Sequence, residues 1–216
     1  MKHVDFLCAK LHRHPSVVCR CPSSDCTTAL CTDVRLIETS RQLSLQPGHF
    51  WADQFHNADG MAGYDGLGEE LLRQAGGRID AFVHSVGTAQ SLHGTTRALR
   101  RHQPDVRVVA VEPAESPVYS GGRSGAHRIE GIGMGFVVPL WQPELVDEVA
   151  TVSTDAAMAM ARRLAREEGL FGGASSGANV VAALRVAERL GPGATVATLM
   201  VDSGIKYLST DVYQPA

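Results

Sequence analysis

Apolar positions along this chain fall into two rhythms that take turns. Leu67, Leu71 and Leu72 recur at the spacing of one helix face and predict a helix over 66–75, stopped by Gly76-Gly77. Residues 79–86 then form a short, mostly apolar run, the signature of a strand buried on both faces. The alternation repeats. A helix is predicted over 91–102, ended ahead of Pro104, followed by strands over 106–111 and 146–152. A helix over 154–168 follows, capped by Thr154, with Ala157, Met160, Ala161 and Leu164 on one face. The last pair is a helix from Ser176 to Gly191-Pro192 and a strand over 195–201. Only the glycine-rich stretch 113–139 interrupts the pattern. Strands separated by such helices pair in parallel through right-handed crossovers, so the prediction is an α/β domain with a twisted parallel sheet flanked by helices.

Composition narrows the partners. With 216 residues, 44% hydrophobic and 20% charged, the chain can bury one good core. A formal charge of −3, no Lys/Arg run longer than two, and scattered Tyr and Phe argue against a nucleic-acid surface. The longest apolar stretches, such as 195–201, fall short of a membrane span, and residues 1–11 lack the apolar centre of a secretory signal. A cytoplasmic location is expected, with no membrane partner. All the cysteines, Cys8, Cys19, Cys21, Cys26 and Cys31, lie ahead of residue 35, where composition changes abruptly. Cys19, Cys21, Cys26 and Cys31 with His12 and His14 could ligate zinc, but CxC followed by wider gaps matches no paired CxxC pattern. An odd count in a cytoplasmic chain also disfavours a disulfide set. No metal is expected. The expected organisation is a poorly structured, cysteine-rich leader over 1–45 and a domain over 46–216.

In α/β sheets ligands bind beyond the carboxyl ends of the strands, which directs attention to three junctions. At Gly87-Thr88-Ala89-Gln90-Ser91 a strand gives way to a helix, whose free amides, dipole and hydroxyls could cradle a phosphate; a merely tight, capped turn is the plainer account. At Gly172-Gly173-Ala174-Ser175-Ser176-Gly177 two glycines allow close backbone approach, and Ser175 or Ser176 could cap the next helix. At Asp202-Ser203-Gly204 a serine could offer a neutral hydrogen bond, or simply make a turn.

Taken in order, Gln54-Phe55, Gly87-Thr88, the stretch VVAVEPAESPVYSGGRSGAHRIEGIGMGF from Val108 to Phe136, GGASSGA from Gly172, and DSGIKYLSTD from Asp202 resemble the cysteine synthase / cystathionine β-synthase family. The resemblance runs from about residue 46 to 213. It implies the large-domain portion of the tryptophan-synthase-β-like fold of pyridoxal-phosphate enzymes, fold type II. It implies pyridoxal 5′-phosphate as cofactor, with Gly87, Thr88, Ala89, Gln90 and Ser91 around its phosphate and Ser203 at its ring nitrogen. Gln54 would help hold the substrate carboxylate, and Gly131, Gly133, Gly173 and Ser175 would line the pocket. The implied reaction is β-replacement on O-acetylserine or a related amino acid: the α-proton and the acetate leave, and sulfide or a thiol adds to give cysteine or an analogue. A homodimer is the association the resemblance implies.

The departures from that pattern are specific. Ala89 and Gln90 stand where the phosphate loop has two glycines, so a Cβ occupies a position that calls for positive φ, at a cost of about 1–2 kcal/mol. Gly63-Tyr64 stands where the family has His-Tyr, and Leu67 replaces a threonine. Lysine occurs only at Lys2, Lys10 and Lys206, and neither the family's Schiff-base lysine motif nor its SGNTG-like word is found. Lys206, where the family commonly has arginine, reads as an exposed lysine. The sequence-level expectation is therefore an N-terminally truncated member with no assigned catalytic lysine, its leader explained by a frameshift or displaced start. A catalytically inactive cofactor-binding pseudo-enzyme or partner-binding module stands as the alternative. A nucleotide-binding domain has little support, because no GxGxxG follows a strand.

Overall fold

The computed structural model describes residues 28–214. Lys2, Lys10, His12, His14, Cys8, Cys19, Cys21 and Cys26, with most of the expected leader, lie outside the described residues. Within the leader's span, Thr28–Ser44 forms helix α1. Two short helices follow, α2 (Asp59–Ala62) and α3 (Asp65–Gln74), and then strand β1 (Ala81–Ser85), helix α4 (Gln90–His102) and strand β2 (Arg107–Pro113). A long loop containing a 3-10 turn at Pro143–Leu145 leads to β3 (Glu148–Val152), α5 (Thr154–Glu167), α6 (Ala174–Leu190), β4 (Val196–Thr198) and a final 3-10 turn at Gly204–Tyr207.

All four strands are parallel, in the order β3-β2-β1-β4. The register explains why their sequences read as continuous apolar runs. Phe82 pairs with Val108 and Val83 with Val109, so residues of even number in these strands face one layer and odd ones the other. Ala81, Val83, Val109 and Val111 pack with Ala157, Met158 and Ala161 of α5 and Ala178, Ala182 and Val186 of α6. On the opposite face Phe82, Val108 and Ala110 pack with Leu92 and Leu99 of α4, joined by Phe55, Ile79 and Val106. Two buried layers share one sheet, as the predicted α/β class requires.

Two glutamates anchor the long loop after β2. Glu112 is buried and its carboxylate accepts from the amides of Tyr119 (2.8 Å) and Ser120 (3.0 Å) and from the Ser120 hydroxyl, turning the chain back over the end of β2. Glu115 accepts from the amide of Thr154 at 2.8 Å, tying the same loop to the start of α5.

Several predicted details are corrected. Ser153, not Thr154, caps α5, accepting from Ala156 N–H at 3.3 Å. Met158 rather than Met160 enters the core, because it follows Ala157 on the face that meets α6. Helix α6 begins at Ala174 behind an N-cap glycine, Gly173, so Ser175 and Ser176 lie inside its first turn and cap nothing. Strand β4 is shorter than predicted, and β3 starts at Glu148, with Asp147 turned instead to accept from the amide of Val108 at 2.6 Å.

Helices α5 and α6 cross closely because Gly177 offers no side chain: a Cβ there would lie 2.0 Å from the carbonyl oxygen of Ala157. Gly177→Ala is therefore expected to destabilise the chain by about 1–3 kcal/mol, through overpacking that α5 cannot relieve without moving. Denaturant unfolding measures it.

Candidate functional site

The three junctions singled out in the sequence meet at the carboxyl edge of the sheet. Beyond β1, the amide of Val86 donates to Val111 O (3.0 Å) and its carbonyl accepts from Gly133 N–H (3.4 Å). Gly87 lies so near the glycine-rich loop that a Cβ on it would sit 2.7 Å from Gly131 O. On the other flank, Gly173 N–H donates to Asp202 Oδ1 at 3.0 Å, Tyr207 donates to the same carboxylate, and Val201 N–H donates to Ser176 Oγ at 3.1 Å. Along this rim the loop 86–91 is locked to the segment 131–133, and the start of α6 to the segment 201–207.

A buried polar network ties this rim to the core. Asn179, fully buried on α6, accepts from Ser85 N–H at 2.8 Å through Oδ1 and donates through Nδ2 to Leu199 O at 2.9 Å. The same Nδ2 lies 3.2 Å from His84 Nδ1, and His84 Nε2 lies 2.8 Å from Ser91 Oγ on α4. Burial pushes the His84 imidazole down to about 4, so it is neutral at physiological pH. Neither His84 nor Asn179 was among the predicted site residues. The available signal was His84 in the mostly apolar run AFVHSV and Asn179 in the run ANVVAA.

The residues of the loop 86–91 divide by what they do. Ala89 is the N-cap of α4 at φ 70°, the left-handed conformation its Cβ was expected to resist, and its side chain is buried. The first backbone bond of the helix is His93 N–H to Ala89 O, at 2.9 Å, and among the described residues nothing accepts from the amides of Gln90, Ser91 or Leu92. Those amides and the half-buried Thr88 point the positive end of α4 at the rim. Gln90 turns away: its amide donates to the carbonyls of Gln54 (2.8 Å) and Asn57 (3.0 Å), fastening the turn 53–57 to the head of α4.

The remaining predicted residues are less enclosed. Gln54 is exposed, its backbone held by Gln90. Ser203 is exposed and accepts from Ile205 N–H at 3.4 Å, capping the last 3-10 turn. Ser175 is buried beside the rim. Gly173 packs against Tyr207 and Asp202, where a Cβ would lie 2.3 Å from the tyrosine ring, so this glycine serves the interlock. Lys206 is exposed, with Nζ 5.4 Å from the Tyr207 ring centre.

Two outcomes are expected from this geometry. Relieving positive φ at Ala89 returns about 1–2 kcal/mol. Ala89→Gly also forfeits a buried methyl of about 0.8 kcal/mol and frees the unfolded chain by about 0.4–1 kcal/mol. The net change in unfolding free energy is expected within about 1 kcal/mol of zero, where a buried alanine at ordinary φ would lose clearly more. The second concerns acid. His84 and His93 are both held down to about 4 from 6.5 by burial, so the unfolded chain takes up protons that the folded one refuses. Their contribution is intact above pH 6.5 and lost as pH falls toward 4, by about 1.4 kcal/mol per pH unit for each histidine. Urea midpoints across that range should fall, and the His84→Gln slope should be shallower.

Comparison with known proteins agrees with this architecture. The sequence profile described as "Pyridoxal-phosphate dependent enzyme" matches residues 21–202. Cysteine synthase of Staphylococcus aureus is 41% identical over 179 residues, covering 82% of this chain and 58% of that protein. Among solved structures, O-acetyl serine sulfhydrylase isoform 3 from Entamoeba histolytica superposes with a TM-score of 0.77 at 38% identity, covering 83% of this chain and 55% of the other. The O-acetylserine dependent cystathionine beta-synthase from Helicobacter pylori gives 0.78 at 36% identity, covering 82% and 58%. The chain thus spans little more than half the length of these relatives. With a parallel sheet whose strand ends gather the family's own sequence words, and with its similarity to cysteine synthases, this chain belongs to the pyridoxal-phosphate dependent enzymes.

Proposed function

We propose that the protein takes part in cysteine synthase-like β-replacement, in which O-acetylserine or a related β-substituted amino acid and sulfide or a thiol give cysteine or an analogue, and that this chain supplies the phosphate and ring contacts for pyridoxal phosphate. The head of α4 carries the proposal. The unpartnered amides of Gln90, Ser91 and Leu92 at a helix N-terminus, with the hydroxyls of Thr88 and Ser91 alongside, suit a phosphate dianion in charge and in donor count. No carboxylate of the described residues bonds to these groups.

When bound, pyridoxal phosphate supplies an electron sink that acidifies the substrate Cα–H. The chain's own residues bind and orient. The α4 amides fix the phosphate, and Ser203 offers a neutral hydroxyl at the ring nitrogen, which leaves that nitrogen free of a compelled proton. Gln54 presents a side-chain amide to the substrate carboxylate, from a turn that Gln90 fastens to the phosphate loop. Gly131, Gly133, Gly173 and Ser175 shape the rim. No lysine of this chain is assigned to the Schiff base or to carrying the α-proton. The cytoplasmic location expected from composition and the homodimeric association implied by the resemblance belong to the same reading; no helix among the described residues is long and apolar enough to cross a membrane.

Equilibrium dialysis of the full chain tests the proposal. Pyridoxal phosphate should bind at least about tenfold more tightly than pyridoxal, a difference of about 1.4 kcal/mol from the phosphate cradle alone. Borohydride treatment should fix no stoichiometric label on lysine. Equal binding of the two compounds would overturn the phosphate assignment.

A further inference from the structure

The network behind the rim has only one consistent pattern of protons. Ser85 N–H can only donate and Leu199 C=O can only accept, so the orientation of the Asn179 amide is decided by backbone: Oδ1 toward Ser85, Nδ2 toward Leu199. The second hydrogen of Nδ2 is then aimed at His84 Nδ1, 3.2 Å away. A ring nitrogen facing a donor must accept, so His84 carries its proton on Nε2, directed at Ser91 Oγ 2.8 Å off. That hydroxyl oxygen is now an acceptor toward the core, and its own hydrogen is left to donate elsewhere. Ser91 is only partly buried, in the first turn of α4 beside the unpartnered amides.

We propose that His84 is a positioning residue, which, with its tautomer set by Asn179, commits the Ser91 hydroxyl to donate outward to the anion at the head of α4. The proposal rests on the pyridoxal phosphate reading of that site. Each donor in the chain polarises the next, so the relay also makes Ser91 a stronger donor than an isolated serine. Burial keeps His84 neutral, which preserves the relay: a proton on Nδ1 would meet the Asn179 hydrogen head-on. The relay runs from the segment after β4 through α6 and β1 to α4, so the head of α4 reports on the packing of the carboxyl edge.

Nitrogen-15 spectra of the histidine-labelled full chain read the tautomer without any substitution. A neutral His84 with Nε2–H is expected; an Nδ1–H ring, or a doubly protonated one at neutral pH, overturns the proposal. Dialysis against pyridoxal phosphate and pyridoxal reads the consequence. Ser91→Ala should weaken pyridoxal phosphate about tenfold, as expected for loss of a hydrogen bond to a charged group; His84→Phe should weaken it by less, since the hydroxyl remains but is no longer held outward, and both should leave pyridoxal unaffected. The double variant should bind no more weakly than Ser91→Ala alone, because His84 acts on the anion only through the Ser91 hydroxyl. His84→Gln, whose amide can still donate to Ser91, should recover most of the affinity. Additive losses, or equal losses for pyridoxal, overturn the proposal while the cofactor reading survives. A wild-type chain that binds no pyridoxal phosphate defeats the cofactor reading and this proposal together. Should His84→Phe fail to fold, the tautomer and the His84→Gln affinity decide the matter.

Discussion

The amide of Asn179 is where the layers of this protein are joined. It satisfies the backbone of β1 at Ser85 and of the segment after β4 at Leu199, both at the carboxyl edge where ladder pairing runs out. A buried backbone group without a partner costs about as much as a lost hydrogen bond, so the strand ends need such a side chain to stop together. The helix that carries Asn179 is itself held against α5 by the absence of a side chain at Gly177 and against the last segment by Ser176. The site edge therefore inherits its shape from α6, although most of the groups proposed to face the cofactor lie on other elements.

The family's sequence words take on a different meaning when read through these contacts. In GGASSGA the glycines are not openings for a ligand alone: Gly173 makes room for Tyr207 and Gly177 for α5. In EPAES the two glutamates fold the loop after β2, one by gathering the amides of Tyr119 and Ser120 and the other by holding the start of α5. Motifs that look like chemistry are here the means of bringing glycine-rich backbone to one place. The chemistry is left to exposed backbone amides and a few hydroxyls.

Much of the fold was legible because its cause is periodic. Strand β1 reads as apolar on both faces because both faces are covered, and α5 shows one apolar stripe because it packs on one side. The junctions were legible for a topological reason, since parallel strands end on the same edge. What could not be read turned on choices between near-equivalent neighbours, such as the hydroxyls of Ser153 and Thr154, or Met158 and Met160, which differ only in angle around α5. The site's support was hidden by distance along the chain: His84 and Asn179 meet across a separation of 95 residues, and no local pattern joins them. The strain at Ala89 was legible, because the family pattern has glycine with positive φ there and the chain offered a Cβ, and the structure keeps the conformation at φ 70°.

The same loop shows how a departure from the family pattern becomes entangled with its surroundings. The Gln90 side chain occupies the space a side chain on Gly60 would need, with its Oε1 only 2.3 Å from where that Cβ would be. A side chain at position 60 is thus admitted only if the Gln90 amide swings aside, and the amide can do so only by giving up its bonds to the carbonyls of Gln54 and Asn57. The cost of enlarging position 60 therefore falls on the turn 53–57, which would come loose from the head of α4.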